Sequence, residues 1–418
     1  MCDELSQSWT WIEGGVGAPQ GFQATGVKAE VKYKDKYDIA LIYSNVPAQA
    51  AGVFTRNQVK AHPLVLTQKF LENGVAQAIV ANSGNANACV GEAGDRAAME
   101  MAETAASKLG IKVEDVLVAS TGVIGVEMPV ERVKKGIEDA AEVIKDGQAE
   151  PVWTSLEKSD NAHQAALAIM TTDTAVKEFA CELPCQGGVI RLGGIAKGSG
   201  MIHPNMGTML GFITTDAKLS AVQLQELLRQ AADQSFNMVT VDGDTSTNDM
   251  VLFLANGESG ITPAGKEWVQ FKEMVNSLCI RLAQEIARDG EGATKFLEVK
   301  VTGAKTLGDA RKLAKSICGS SLVKTAMYGE DANWGRILAA AGYAEAQFDP
   351  SQAAIYIGDC LVARNGQGVH FSEEAAKEVL AQKEIGITLM LKDGEDKATA
   401  WGCDLTHEYV TINGDYRT

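Results

Sequence analysis

The stretch from Lys197 to Asp216 constrains the fold more than any other, because it joins a segment that cannot be regular structure to one that reads as buried strand. Gly198, Gly200, Pro204 and Gly207 supply turn geometry and break any periodic pattern. Met209 to Ile213 is a short apolar run of the kind that fills a buried strand. Thr208 stands at the junction as the expected first residue of that strand. Gly207 before it has no Cβ, so its carbonyl is unshielded and its backbone tolerates strained dihedrals. A hydroxyl held by a strand beside such a carbonyl suits a threonine that cleaves its own preceding peptide bond and then works as an N-terminal nucleophile. The same Gly-Thr pair also suits an ordinary loop-to-strand turn, so the rest of the chain has to decide.

At 418 residues the chain exceeds what one core ordinarily fills, and two or three subdomains are expected. Its 38 basic and 54 acidic residues give a net charge of −16, which disfavours nucleic acid and anionic membranes as partners. No apolar run approaches the roughly 20 residues that span a bilayer. The acidic stretch Met1 to Ser6 has no apolar signal core, and the scattered cysteines form no disulfide framework; a reducing cytoplasm is the expected location. Cys181 and Cys185 have no second Cys/His pair beside them, and the histidines are isolated, so no metal site is expected.

Along the chain, strand-like runs repeatedly end in Gly, Ser, Thr or Asn clusters, which suggests several loops converging on one site. Gln77 to Ala81 leads into Asn82-Ser83-Gly84-Asn85-Ala86-Asn87, read either as a self-satisfied turn or as a wall of that site. Val116 to Ala119 leads into Ser120-Thr121-Gly122, a turn able to point backbone N–H groups inward at an anion, or merely a tight connection to the next helix. Ala165 to Met170 reads as a strand ending in Thr171-Thr172-Asp173. The polar loop Gly243 to Asp249 lacks the ligand register of a calcium site and receives no role. Helices are expected over Asp95–Leu109, Val130–Ile144, Ser220–Phe236 (with Ser220 as N-cap), Lys266–Ala287 and Leu307–Ile317. No G-x-S-x-G, Walker A or H-E-x-x-H motif is present.

Taken in order, Ser120-Thr121-Gly122, Met170-Thr171-Thr172-Asp173, Ala196-Lys197-Gly198-Ser199-Gly200-Met201, Thr208-Met209-Leu210, Glu291-Gly292-Ala293-Thr294-Lys295, Asn333-Trp334-Gly335-Arg336 and Asn413 resemble the ornithine acetyltransferase family. These are the self-processing glutamate N-acetyltransferases of arginine biosynthesis. The resemblance implies an α/β fold, an αββα-type sandwich cut between Gly207 and Thr208 into an α chain of 1–207 and a β chain of 208–418. The two chains would associate as an α2β2 assembly. One departure is Gly207, where the family usually has Ala; both are small. Thr208 would be the nucleophile, Thr121 and Gly122 the oxyanion hole, and Thr171, Lys197, Thr208, Glu291, Asn413 and Thr418 the substrate-binding positions. The implied reaction moves the acetyl group of N2-acetylornithine to glutamate, giving ornithine and N-acetylglutamate, with no cofactor. Acetyl-CoA stays open as a second donor. A hydrolytic N-terminal-Thr amidase or a non-enzymatic binding protein would share many of the same loops.

Overall fold

The computed structural model describes residues 8–146, 160–203 and 209–415; Gly207, Thr208 and Thr418 lie outside the described residues. The first half runs β1 (Thr10–Ile12), β2 (Phe22–Val27), β3 (Ile39–Phe54), α1 (His62–Phe70), β4 (Val75–Asn82), α2 (Glu92–Leu109), β5 (Val116–Ser120), α3 (Val130–Lys145), α4 (Asp160–Ala168), β6 (Lys177–Cys185) and β7 (Gly188–Lys197). The second continues with β8 (Leu210–Thr215), α5 (Ala221–Gln234), β9 (Val239–Thr240), β10 (Met250–Ala255), α6 (Gly265–Arg288), β11 (Phe296–Ala304) and α7 (Leu307–Gly319). After these come α8 (Ser321–Tyr328), α9 (Trp334–Gly342), β12 (Ala354–Ile357), β13 (Cys360–Arg364), β14 (Gln367–Gly368), α10 (Glu373–Leu380), β15 (Glu384–Met390), β16 (Asp396–Cys403) and α11 (His407–Asp415).

Among the described residues the strands form two sheets. The larger has the order β1-β6-β7-β8-β10-β3-β4-β5, with β2 also on β3; the smaller runs β14-β13-β12-β15-β11-β16-β9. The larger sheet is covered on both faces, and side-chain alternation along β10 shows how. Met250, Leu252 and Leu254 pack into the core shared with α2, α3 and α4, whereas Val251, Phe253 and Ala255 pack into the core shared with α5 and α6. Both β8 and β10 are therefore buried along their whole length, the pattern of a strand covered on two sides. Helix α6 spans the gap between the sheets, touching β6 and β7 on one side and β9, β11 and β16 on the other. Its buried face includes Phe271, Leu278, Leu282 and Ile286, each worth about 1.5–3 kcal/mol in removal from water. The result is an α/β sandwich of two sheets with helical layers, as the resemblance implied.

Most expected elements fall within a few residues of their observed limits, and Ser220 caps α5 through a reciprocal capping box with Gln223. Two expectations fail. Ala165 to Met170 does not form a strand: residues through Ala168 close helix α4. Its alanines let that helix press on β2, where a Cβ at Gly26 would lie 2.1 Å from the Gln164 carbonyl oxygen. A short apolar run cannot distinguish the two states by period. Asn413, read as part of a tail, lies in α11. The expectation that Thr208 begins a strand falls outside the described residues; β8 runs Leu210–Thr215.

Candidate active site

A cavity of about 230 Å³ adjoins the rung where β7, β8 and β10 meet. Lys197 pairs there with Leu210, and Leu210 with Met250. The volume lies below the roughly 300–1,000 Å³ of pockets for drug-sized ligands, so it suits one small metabolite at a time. Thr121, Gly122, Thr171, Lys197, Glu291 and Asn413 all line it, although they come from five separate segments of the sequence. Met209, the residue that follows Thr208 in the chain, lines it as well.

One wall is neutral. At the end of β5, the Ser120 hydroxyl donates to Asn82 Oδ1 (2.5 Å), and the Asn82 side-chain amide donates to the Asn85 carbonyl (2.9 Å). From the other side, Asn248 Nδ2 donates to the carbonyls of Ala86 (2.6 Å) and Ser120 (2.8 Å). The Thr121 backbone N–H is used up on the Asn82 carbonyl (3.0 Å). The Thr121 hydroxyl and the Gly122 N–H make no hydrogen bond with any described residue, and both residues line the cavity. Gly122 has φ +132°, and a Cβ there would lie 2.3 Å from the Gly84 carbonyl carbon, so only glycine fits. The asparagine turn thus does not line the cavity; it braces the Thr121–Gly122 turn from behind. Of the two readings of the asparagine turn, the self-satisfied one holds and the wall does not, because its amides bond inward to neighbouring backbone rather than to the cavity.

The opposite wall is charged. Lys197 and Glu291 are nearly buried there. The Glu291 N–H donates to the Ser199 carbonyl (2.9 Å), and Asn413 Nδ2 donates to Glu291 Oε2 (2.7 Å). Gly200 makes room for this carboxylate, since a Cβ at that position would come within 2.2 Å of Glu291 Oε2. Thr171 is fixed through its N–H, which donates to Asp173 Oδ2 (3.0 Å). Burial alone would raise the Asp173 carboxyl, but Lys197 and Lys177 outweigh it and hold the group at about 2.

Several cavity residues were not assigned from sequence. Asp242 accepts from the N–H groups of Met201 (2.6 Å) and Ile202 (2.8 Å), and the Tyr409 hydroxyl hydrogen-bonds to it. Burial raises the Asp242 carboxyl, against the lowering effect of these N–H groups. Asp249 is buried: its Oδ2 has no hydrogen-bond partner among the described residues, and burial pushes its carboxyl well above the usual range. Asp242, Asp244 and Glu291 face the cavity beside Lys197, the one basic side chain among the described residues of its lining, so the site favours a ligand that brings an ammonium with its carboxylate. The signal for Asp242, Asp244 and Asp249 was the dense polar loop that ends at Asp249, legible as a loop but not as a wall. Tyr409 and Asn413 stand four apart on α11, one face of a helix. His203, pushed down to about 4 by burial and by Lys315, is neutral near pH 7 and does not line the cavity. Nor does the Asn333–Arg336 motif: Asn333 caps α9 by accepting from the Arg336 N–H (3.1 Å).

With the geometry in place, similarity to known proteins can be added. The arginine biosynthesis bifunctional protein ArgJ of Symbiobacterium thermophilum is 55% identical over 413 residues, 98% of this chain and 100% of that protein. The protein of the same name from Thermotoga neapolitana is 50% identical over 410 residues, 96% of this chain and 99% of its own. A crystal structure of the arginine biosynthesis bifunctional protein argJ from Bacillus halodurans is 45% identical, covers 49% of this chain and 98% of its own, and has a TM-score of 0.48. The model of the ArgJ family matches residues 23–418, and this chain belongs to that family.

Proposed function

We propose that this chain is a self-processing acetyltransferase of arginine biosynthesis that moves the acetyl group of N2-acetylornithine to glutamate. The observation that carries the reading is one cavity holding two uncommitted donors, Thr121 Oγ and Gly122 N–H, opposite Lys197 and Glu291, with Met209 in its lining directly after Thr208. In the proposed sequence the Thr208 hydroxyl attacks the Gly207 carbonyl, and hydrolysis of the resulting ester leaves chains 1–207 and 208–418. The freed α-amine of Thr208, with a pKa near about 7.7–8, is partly neutral at pH 7 and takes the proton of its own hydroxyl.

Acetyl transfer follows the same chemistry in two steps. Thr208 Oγ bonds to the acetyl carbon, the amide C–N bond breaks, and ornithine leaves with the proton on its nitrogen. The glutamate amine then attacks the acetyl ester, the C–O bond breaks, and the proton returns to Thr208. Both tetrahedral intermediates place a negative oxygen where Thr121 Oγ and Gly122 N–H would donate. Lys197 would take the α-carboxylate common to donor and acceptor. The volume of the cavity favours their binding in turn rather than together. The name "bifunctional" carried by the relatives supports acetyl-CoA as a second donor, and the paired products would associate as α2β2.

Incubating the processed protein with N-acetylornithine alone tests the proposal. Denaturing mass analysis should show one acetyl group added to the 208–418 fragment and removed again by glutamate, with parallel lines in double-reciprocal kinetics. A Thr208→Ala protein should remain full length. Intersecting lines with no acetylated fragment would establish direct transfer and overturn the covalent route.

A further inference from the structure

Three of the residues assigned to substrate binding, Thr171, Lys197 and Glu291, sit on the segments 171–173, 197–200 and 289–291. The third meets the second through one backbone hydrogen bond, from the Glu291 N–H to the Ser199 carbonyl (2.9 Å). What ties all three together is a buried ionic cluster centred on Lys177, the first residue of β6. Lys177 is 1% exposed, and its ammonium uses all three of its protons: on Asp173 Oδ1 (2.8 Å), the Ala175 carbonyl (3.1 Å) and Asp289 Oδ2 (2.6 Å). The side chains of Asp173 and Asp289 are 0% and 6% exposed.

Each carboxylate passes that anchorage on to the site. Asp173 Oδ2 accepts from the Thr171 N–H (3.0 Å), and Asp173 Oδ1 accepts from the N–H of Gly198 (2.6 Å), the residue after Lys197. Asp289 accepts from the Thr174 N–H (3.0 Å to Oδ2) and the Ala175 N–H (3.3 Å), tying the end of α6, two residues before Glu291, to the same turn. The cluster has two carboxylates for one ammonium, and Lys197 acts electrostatically on Asp173 from the cavity side. A cluster built only to hold the fold would not need to share a cation with the binding site. We infer that Lys177 is a positioning residue: by bridging Asp173 to Asp289 it fixes Thr171, Lys197 and Glu291 at the mutual distances that an amino-acid substrate requires. The inference rests on the acetyl-transfer reading for what that substrate is.

Two variants test it. Lys177→Arg keeps the charge but replaces a compact ammonium by a planar fork that cannot meet the same three acceptors. The pair Lys177→Met with Asp289→Asn removes one charge of each sign and so keeps the cluster's balance. Both should lose some stability, since a buried ion pair is altered, yet unfold cooperatively and remain folded at the assay temperature. The KM for N-acetylornithine and for glutamate should rise about tenfold while kcat changes less than about threefold, the pattern of lost uniform binding. Calorimetric binding of ornithine should weaken by the same factor, a readout that needs no turnover. Unaltered KM and ornithine affinity in folded variants would overturn the inference while leaving the reaction intact. Failure of both variants to fold would also overturn it, by assigning Lys177 to the fold alone. Absence of transfer in the unaltered protein would instead fault the reaction, and ornithine binding would still decide the role of Lys177.

Discussion

The two walls of the cavity solve the same problem, holding polar groups still, by different means. The Thr121–Gly122 wall is neutral: behind it amide side chains and backbone carbonyls bond to one another, while Thr121 Oγ and Gly122 N–H make no hydrogen bond with any described residue. The Lys197–Glu291 wall is ionic, and behind it stands the Asp173–Lys177–Asp289 cluster, with near-complete burial of all three groups. Neutral donors suit a place where charge exists only during the reaction, because they need no counter-ion in the resting state. Fixed charges suit a place where the ligand arrives already charged. The division teaches that damage to the first wall should appear in kcat and damage to the second in KM.

The largest effect expected is from Gly122→Ala. A Cβ placed 2.3 Å from the Gly84 carbonyl carbon, at φ +132°, must displace the turn, and kcat should fall by more than about 10³-fold with KM little changed. Steady-state kinetics on the processed protein checks it, and a KM effect of equal size would erase the contrast between the walls. Next comes Thr121→Ala, which removes one donor and leaves the backbone in place. A loss in kcat of about 10²–10³-fold is expected, with Thr121→Ser recovering most of it. Unchanged turnover would move the donor role to the Gly122 N–H alone.

Asn248→Ala probes the brace rather than the donors. It strips hydrogen bonds from two buried carbonyls, so stability should drop by about 1–3 kcal/mol in denaturant titration and kcat by about tenfold. Glu291→Gln should act oppositely, raising KM about fivefold with kcat nearly constant. A kcat-only effect there would place Glu291 in the chemistry.

The smallest effect is on pH dependence, and it sharpens the ionic side. The folded-state value of Asp173 lies near 2, below its ordinary 3.8. Its stabilisation is therefore fully present above 3.8 and is lost only as the pH falls toward 2. An Asp173→Asn protein should be less stable than the unaltered one at pH 6, and the gap between the two melting curves should narrow as the pH falls from 3.8 toward 2. A difference undiminished at pH 2 would show that the carboxylate's charge is not what holds the corner together.

Much of this was legible in the residues. Periodicity located α2, α3, α5, α6 and α7, and Gly, Pro and Asn clusters marked the loops that reach the cavity, because local conformational preference is written in short windows. Thr121, Gly122, Thr171, Lys197, Glu291 and Asn413 came from an ordered set of motifs, and the tertiary structure gathers all six into one lining. The run Ala165 to Met170 reads as a strand because a short apolar run suits strand and helix alike; packing against β2 favours helix through Ala168. The wall formed by Asp242, Asn248 and Asp249 was invisible as a wall, since a polar loop shows in sequence but its neighbours do not. The sequence alone determined which residue types were available and in what order: a nucleophile candidate after a glycine, donors after a strand, opposite charges on distant segments. Only the tertiary structure decided that the amide cluster would brace the Thr121–Gly122 turn and that Lys177 would bind Asp173 and Asp289. The pairings that decide it, Asn248 with Ser120 and Lys177 with Asp289, each span more than a hundred residues of chain, and the burial that makes such bonds strong exists only once the sheets and helices have closed around them.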